Sequence, residues 1–277
     1  MGGIIMSQLL SSSLFETDLE RFKEITDIAR GISSNNWGAG IIGENIFRVV
    51  SNFARKKDIP LEILSYPCND DELWALTLKK KGTIFVCINS ELPVSKQIFA
   101  AAHELYHIYR YAENIEDFSA NIASLLDSHT ADECAQSKED VEANAFAALL
   151  LMPELELRGY ISLFGVSSET PSVDDILTLM DSFGIPYKAV VLRLYECNLL
   201  SKPKAIELLN IPSDRVVERS TLTGKAKRWM VANRGVTSFG SLLDSFQFNR
   251  DNDFLTESRT AEDEAYLKAL MQSFEAK

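Results

Sequence analysis

The apolar positions change period along the chain, and each period predicts a different element. Residues 17–30 (TDLERFKEITDIAR) show the helical period. Thr17 is the expected N-cap, Glu20 completes a capping box, and Gly31 is the expected stop. A Ser-, Asn- and Gly-rich loop covers 32–43, and a second helix is predicted over 44–57, closed by Asp58-Ile59-Pro60. The period then shortens. Leu61–Tyr66, Leu73–Leu78 and Thr83–Ile88 read as strands; in the second, Trp74, Leu76 and Leu78 alternate with Ala75, Thr77 and Lys79, and Lys80-Lys81-Gly82 makes a hairpin to the third.

From Ser95 onward the helical period returns. It predicts helices over 95–112, 115–127, 138–151, 172–183, 187–198 and 260–274, punctuated by Pro153 and Gly184-Ile185-Pro186. Residues 201–258 are less regular. The pattern as a whole is α+β: a small three-stranded sheet packed on helices, then a helical C-terminal half. The division expected is a domain over 1–200, with its core at about 40–200, and a partly irregular helical extension over 201–277.

Composition narrows the function classes. Hydrophobic residues at 46% of 277 are enough for a sizeable core. The 40 acidic against 28 basic residues give a net charge of −12, which opposes general phosphate binding, so direct nucleic-acid contact is not expected. The basic stretch 225–234 (KAKRWMVANR) reads as a solvated helix face. The four cysteines, Cys68, Cys87, Cys134 and Cys197, show no C-x-x-C spacing and read as reduced structural thiols. No apolar run approaches the ~20 residues that span a bilayer, and Met1–Met6 lacks the basic start and long apolar core of a signal peptide. A cytoplasmic protein without a membrane segment is the expectation.

The chemistry sits in Phe99–Arg110, where His103-Glu104-Leu-Tyr-His107 forms an H-E-x-x-H motif. Residues four apart on a helix lie on one face, so His103 and His107 can ligate one ion. Zinc accepts neutral imidazole at ~2.0–2.1 Å and, in catalytic sites, keeps a position open. Glu104, beside the first ligand, is placed to take a proton from water acidified by that ion. Two of the three histidines of the chain lie in this motif.

A second stretch, Lys138-Glu139-Asp140-Val-Glu142-Ala-Asn144-Ala-Phe146 through Met152-Pro153, follows it. Together the two resemble the ImmA/IrrE family of metallopeptidases, with H-E-x-x-H, then E-x-x-A-N-x-F-A and a Leu-Met-Pro ending. The resemblance extends from about residue 40 to 200, including Ile84–Asn89 and Leu179–Tyr195. It implies a zincin-like fold holding one zinc per chain. The third ligand it implies is a Glu four residues before the Asn, where this chain has Asp140, one methylene shorter. Asp140 is preferred, since it lies one turn before Asn144; Glu142 and Glu139 are the alternatives. Asn144 is the candidate to hold a ligating histidine from behind. For the developing oxyanion, His129, Tyr106, Tyr109 and Tyr160 compete, and the sequence does not rank them. Arg193 and Tyr195 read as structural.

The resemblance further implies a regulatory endopeptidase, often from phage or mobile elements, whose substrate is a helix-turn-helix repressor. Thr83–Ile88 is the strand expected to offer its edge to an extended substrate. The rival reading is a non-proteolytic, metal-bearing module, or a toxin component, that sequesters a repressor. Retention of Glu104 favours the enzyme.

Overall fold

The computed structural model describes residues 9–68, 70, 73–113, 124–127, 137–167, 170–232 and 238–275. After a single turn, α1 (Leu14–Thr17), helix α2 runs over Leu19–Asn36. Its N-cap is Asp18 rather than Thr17: the Asp18 carboxylate accepts from the Arg21 amide at 3.0 Å. Gly31 does not stop it. The ~1 kcal/mol cost of an interior glycine is offset because one more turn buries Ile32 on the line already set by Phe22, Ile25 and Ala29. A short 3-10 turn leads into α3 (Ile46–Lys56), which buries Ile46, Val49, Val50 and Phe53.

The three expected strands, β1 (Leu61–Tyr66), β2 (Leu73–Lys80) and β3 (Thr83–Asn89), form the middle of a five-stranded sheet. Its order is β4-β2-β3-β1-β5, with β4 at Ser124–Asp127 and β5 at Ser238–Phe239. Lys81 and Gly82 both have positive φ, the turn that fits the twist of a two-residue hairpin between β2 and β3. β3 pairs antiparallel with β2 and parallel with β1. The expectation that β3 is an edge is therefore wrong. Ile84, Val86, Cys87 and Ile88 are all buried, and a run that is apolar on both faces belongs inside a sheet. The edge beyond β2 is β4, paired Thr77 with Ser124, Leu76 with Leu125 and Ala75 with Leu126. Residues 124–127 are thus strand, not helix; the rest of the predicted helix 115–127, with His129 and Cys134, lies outside the described residues.

Helix α4 (Val94–Ala112) packs on β2, β3 and β4, and α5 (Lys138–Leu151) packs on both α4 and α2. Four more helices follow: α6 (Glu154–Phe164), α7 (Val173–Phe183), α8 (Tyr187–Glu196) and α9 (Lys202–Leu209). Gly184, at positive φ, ends α7 where an added Cβ would press on the Trp229 ring. Buried Arg193 donates to the Met152 carbonyl and to Glu196, a structural role as expected.

Residues 201–258 are more regular than their sequence suggests. They hold α9, α10 (Ser213–Thr223) and α11 (Leu242–Asp251). Ala205, Leu208, Leu209 and Val216 join the main core, so packing continues past residue 200. Within its described part, residues 225–232, the basic stretch is anchored by Trp229 while Lys227 and Arg228 stay exposed. Trp229 is buried and donates to the Asp181 carbonyl at 3.2 Å, and the Val94 amide donates to the Val231 carbonyl at 3.1 Å. The final pair, α11 and α12 (Glu257–Glu275), stands apart: α11 buries no residue, while Phe248, Phe254 and Tyr266 are exposed.

Candidate metal centre

Helix α4 begins behind Pro93, and Ser95 together with every residue from Gln97 to Ile108 is buried. Its face toward α5 includes His103 and His107, while Glu104 lies near Thr77 of β2. The alanines at 100–102 and at 143, 145, 147 and 148 leave room for two helix backbones to approach closely. α5 starts at a Ser137 N-cap, whose hydroxyl accepts from the Asp140 amide at 3.1 Å and donates to the Asp140 carboxylate at 2.8 Å. That fixes the first turn of α5, where Glu139 and Asp140 sit.

The two imidazoles are held from behind. His107 Nδ1 bonds the Glu139 carboxylate, which can only accept, so this nitrogen carries the proton. His103 Nδ1 meets the Asn144 side-chain oxygen at 2.9 Å and donates in the same way. Both Nε2 atoms therefore present lone pairs, and they face each other at 3.1 Å. Asp140 Oδ1 lies 3.9 Å from each. Tetrahedral ligands held at ~2.0–2.1 Å from an ion are spaced about 3.3 Å apart. Three acceptors with no proton between them, at nearly that spacing, form a donor set that a cation fits. Burial first, and His107 second, push the His103 ring well below its ordinary pKa, which keeps it neutral as a ligand must be.

The alternatives to Asp140 take other roles. Glu142 turns away from the histidines. Its buried carboxylate accepts from Arg21 Nε at 3.0 Å and Nη2 at 2.9 Å, from Tyr106 Oη at 2.6 Å and from Arg110 Nη1 at 3.2 Å. Burial raises its pKa, but these bonds and the two guanidinium charges outweigh burial and hold it below the usual range. Glu142 is thus removed from the ligand set by two residues of helical rotation, ~200°. Glu139 stands behind His107 as an orienting acceptor.

Glu104 is fully buried, and among the described residues only Thr77 approaches its carboxylate, without a well-formed hydrogen bond. Desolvation raises its pKa to about 8, with Thr77 lowering it and the Asp140 and Glu139 charges raising it further. A buried carboxylate so weakly partnered among the described residues is costly. Arg21 pairs with Glu142, and Arg110 with both Glu139 and Glu142.

The tyrosine candidates for the oxyanion are engaged elsewhere. Tyr106 donates to Glu142, Tyr109 stacks on Tyr106 and lines a cavity with Phe53 and Lys56, and Tyr160 packs on Phe164 and Phe183. Sequence reasoning missed Arg21 altogether. The sequence offered no signal for it, because the i,i+3 pair with Glu24 already accounts for a basic residue on that helix.

With this geometry in place, comparison with known families gives one match. Residues 55–195 fit the family model described as the IrrE N-terminal-like domain, a peptidase family by its description. Comparison with curated proteins found no match.

Proposed function

This chain belongs to the IrrE N-terminal-like family of metallopeptidases, and from that premise we propose that it is a zinc endopeptidase acting on a helix-turn-helix repressor. The observation that carries the enzymatic reading is the convergence of Asp140 Oδ1 with His103 Nε2 and His107 Nε2, on the helix that also buries the Glu104 carboxylate. A bound zinc ion supplies Lewis-acid polarisation of the peptide carbonyl and lowers the pKa of water towards ~7. The rest is work for the chain's own side chains. Asn144 and Glu139 keep the Nδ1 protons of both histidines occupied, so the Nε2 lone pairs stay directed into the site. Glu104 takes the proton of the attacking water and returns it to the leaving amine, a double task suited to a carboxyl raised towards neutrality.

The outer edge of β4 is the strand on which an extended substrate can add, because β3 is closed on both sides. Strand addition needs free backbone groups, so the cleavage point is a linker or terminus of the repressor rather than its packed helices. A net charge of −12 favours encounter with a basic DNA-binding partner. The described thiols Cys68, Cys87 and Cys197 are unpaired, and no described helix is long and apolar enough to cross a membrane. The location we propose is the cytoplasm.

The test is co-expression with a candidate helix-turn-helix repressor, comparing wild type with Glu104→Gln. Wild type should cut the repressor, and the variant should lose about 10²–10⁴-fold in rate. Equal cleavage by both would place the base elsewhere. An intact repressor, held in complex by both, would favour the sequestering module.

A further inference from the structure

We propose that Arg21, on a helix that precedes the family-matched residues, is a positioning residue for the metal centre. Through Glu142 it fixes the register of α5 against α4. The inference rests on the metal-site reading given above.

Three α5 side chains must meet the histidine helix together: Asp140 as ligand, Asn144 behind His103 and Glu139 behind His107. A slide of α5 along α4 by a fraction of a turn would break all three at once. Apolar packing is non-directional and resists such a slide weakly. A guanidinium–carboxylate fork is directional. Glu142 lies between Asp140 and Asn144 on α5, and Arg21 grips both of its oxygens, at 3.0 and 2.9 Å. The same guanidinium donates to Tyr106 Oη at 3.1 Å, and Tyr106 is the residue before His107. Arg21 therefore ties α2 to α5 and to α4 at one point beneath the site. Arg110 also reaches Glu142, but from α4 itself, so it adds no third support.

Stability alone gives no reason for this cluster. Buried ion pairs are often neutral or unfavourable against apolar side chains of the same volume. Exact register is what directional bonds provide, and groups behind metal ligands commonly alter metal affinity by ~10–100-fold when removed.

The experiment measures zinc affinity of the full chain by competition with a chelator, well below the melting midpoint of every variant, and the melting of the metal-free protein. Arg21→Met should bind zinc at least tenfold more weakly. Arg21→Lys should recover only part of this, because an ammonium cannot form the fork. Arg30→Gln, which removes an exposed pair with Asp27 on the same helix, should leave affinity unchanged. Should Arg21→Met fail to fold, Arg21→Lys decides, with a loss of threefold or more expected. Zinc affinity within twofold of wild type in the Arg21 variants, whatever their melting, would overturn the proposal: Arg21 would then be merely structural. A wild-type chain that takes up no zinc would overturn the metal reading, and this inference with it.

Discussion

Glu104→Gln should stabilise the metal-free protein, and by an amount that grows with pH. In the folded, metal-free chain burial raises this carboxyl from 4.5 to about 8. Between those values the folded chain keeps a proton that the unfolded chain has released. Stability from this group is thus whole below about pH 4.5 and is lost as pH rises through 8. Glutamine has no such proton to lose. At ~1.36 kcal/mol per tenfold change in proton affinity the ceiling is about 5 kcal/mol. Water entering the site reduces it, so about 2–5 kcal/mol is expected above pH 8. For a chain of this size that is roughly 3–9 °C in melting midpoint. The lowered His103 pKa acts in the opposite sense, with stability gained as pH rises towards 6.5, but it is common to both chains and largely cancels in the difference. The assay is thermal melting of wild type and Glu104→Gln from pH 5 to 9 with a chelator present. Saturating zinc should narrow the gap, since a cation favours the ionised carboxylate. A gap that stays constant across the range, or a wild type that is the more stable at pH 9, would refute the buried-charge argument.

Asn144→Ala should weaken zinc binding about tenfold, and Asp140→Ala more, in chelator competition; the reverse order would exchange their roles. Gly184→Ala should cost about 1–3 kcal/mol in a urea melt. Its Cβ would sit 3.1 Å from the Trp229 ring at a φ of +68°, whereas Gly224→Ala meets nothing within 4 Å and should cost only the strain of its positive φ. Deleting residues 242–277 should leave zinc content unchanged and shift melting by only a few degrees, because α11 buries nothing. It should slow cleavage of a basic partner most visibly at low salt, since that segment is acidic and exposes Phe248, Phe254 and Tyr266.

Much of the fold was legible because local patterns and tertiary packing agree in this chain. The hairpin at Lys81-Gly82, the active-site helix behind Pro93 and the α5 boundaries follow from turn chemistry, capping and period. The misses share a cause: they depend on what lies across space. Gly31 looks like a stop until Ile32 is seen to have a core to enter. β3 is apolar on both faces, a hint of a central strand, and its two partners confirm it. β5 is two residues long, beneath any sequence period, and exists because β1 offers it an edge. At the centre itself, spacing brings His103, Glu104 and His107 onto one helix, and the family pattern brings in Asp140 and Asn144. The division of labour among Glu139, Asp140 and Glu142 needed the angle between two helices, and the hold of Arg21 on Glu142 spans 121 residues.

The zinc content of three purified chains tests the account at its root. Wild type should carry about one zinc per chain, since its donor set is two imidazoles and one carboxylate. Glu104→Gln should carry the same amount, because that side chain is not a ligand. His103→Ala/His107→Ala should carry essentially none. Zinc retained in full by the double histidine variant, or lost from Glu104→Gln, would contradict the centre as it is assigned.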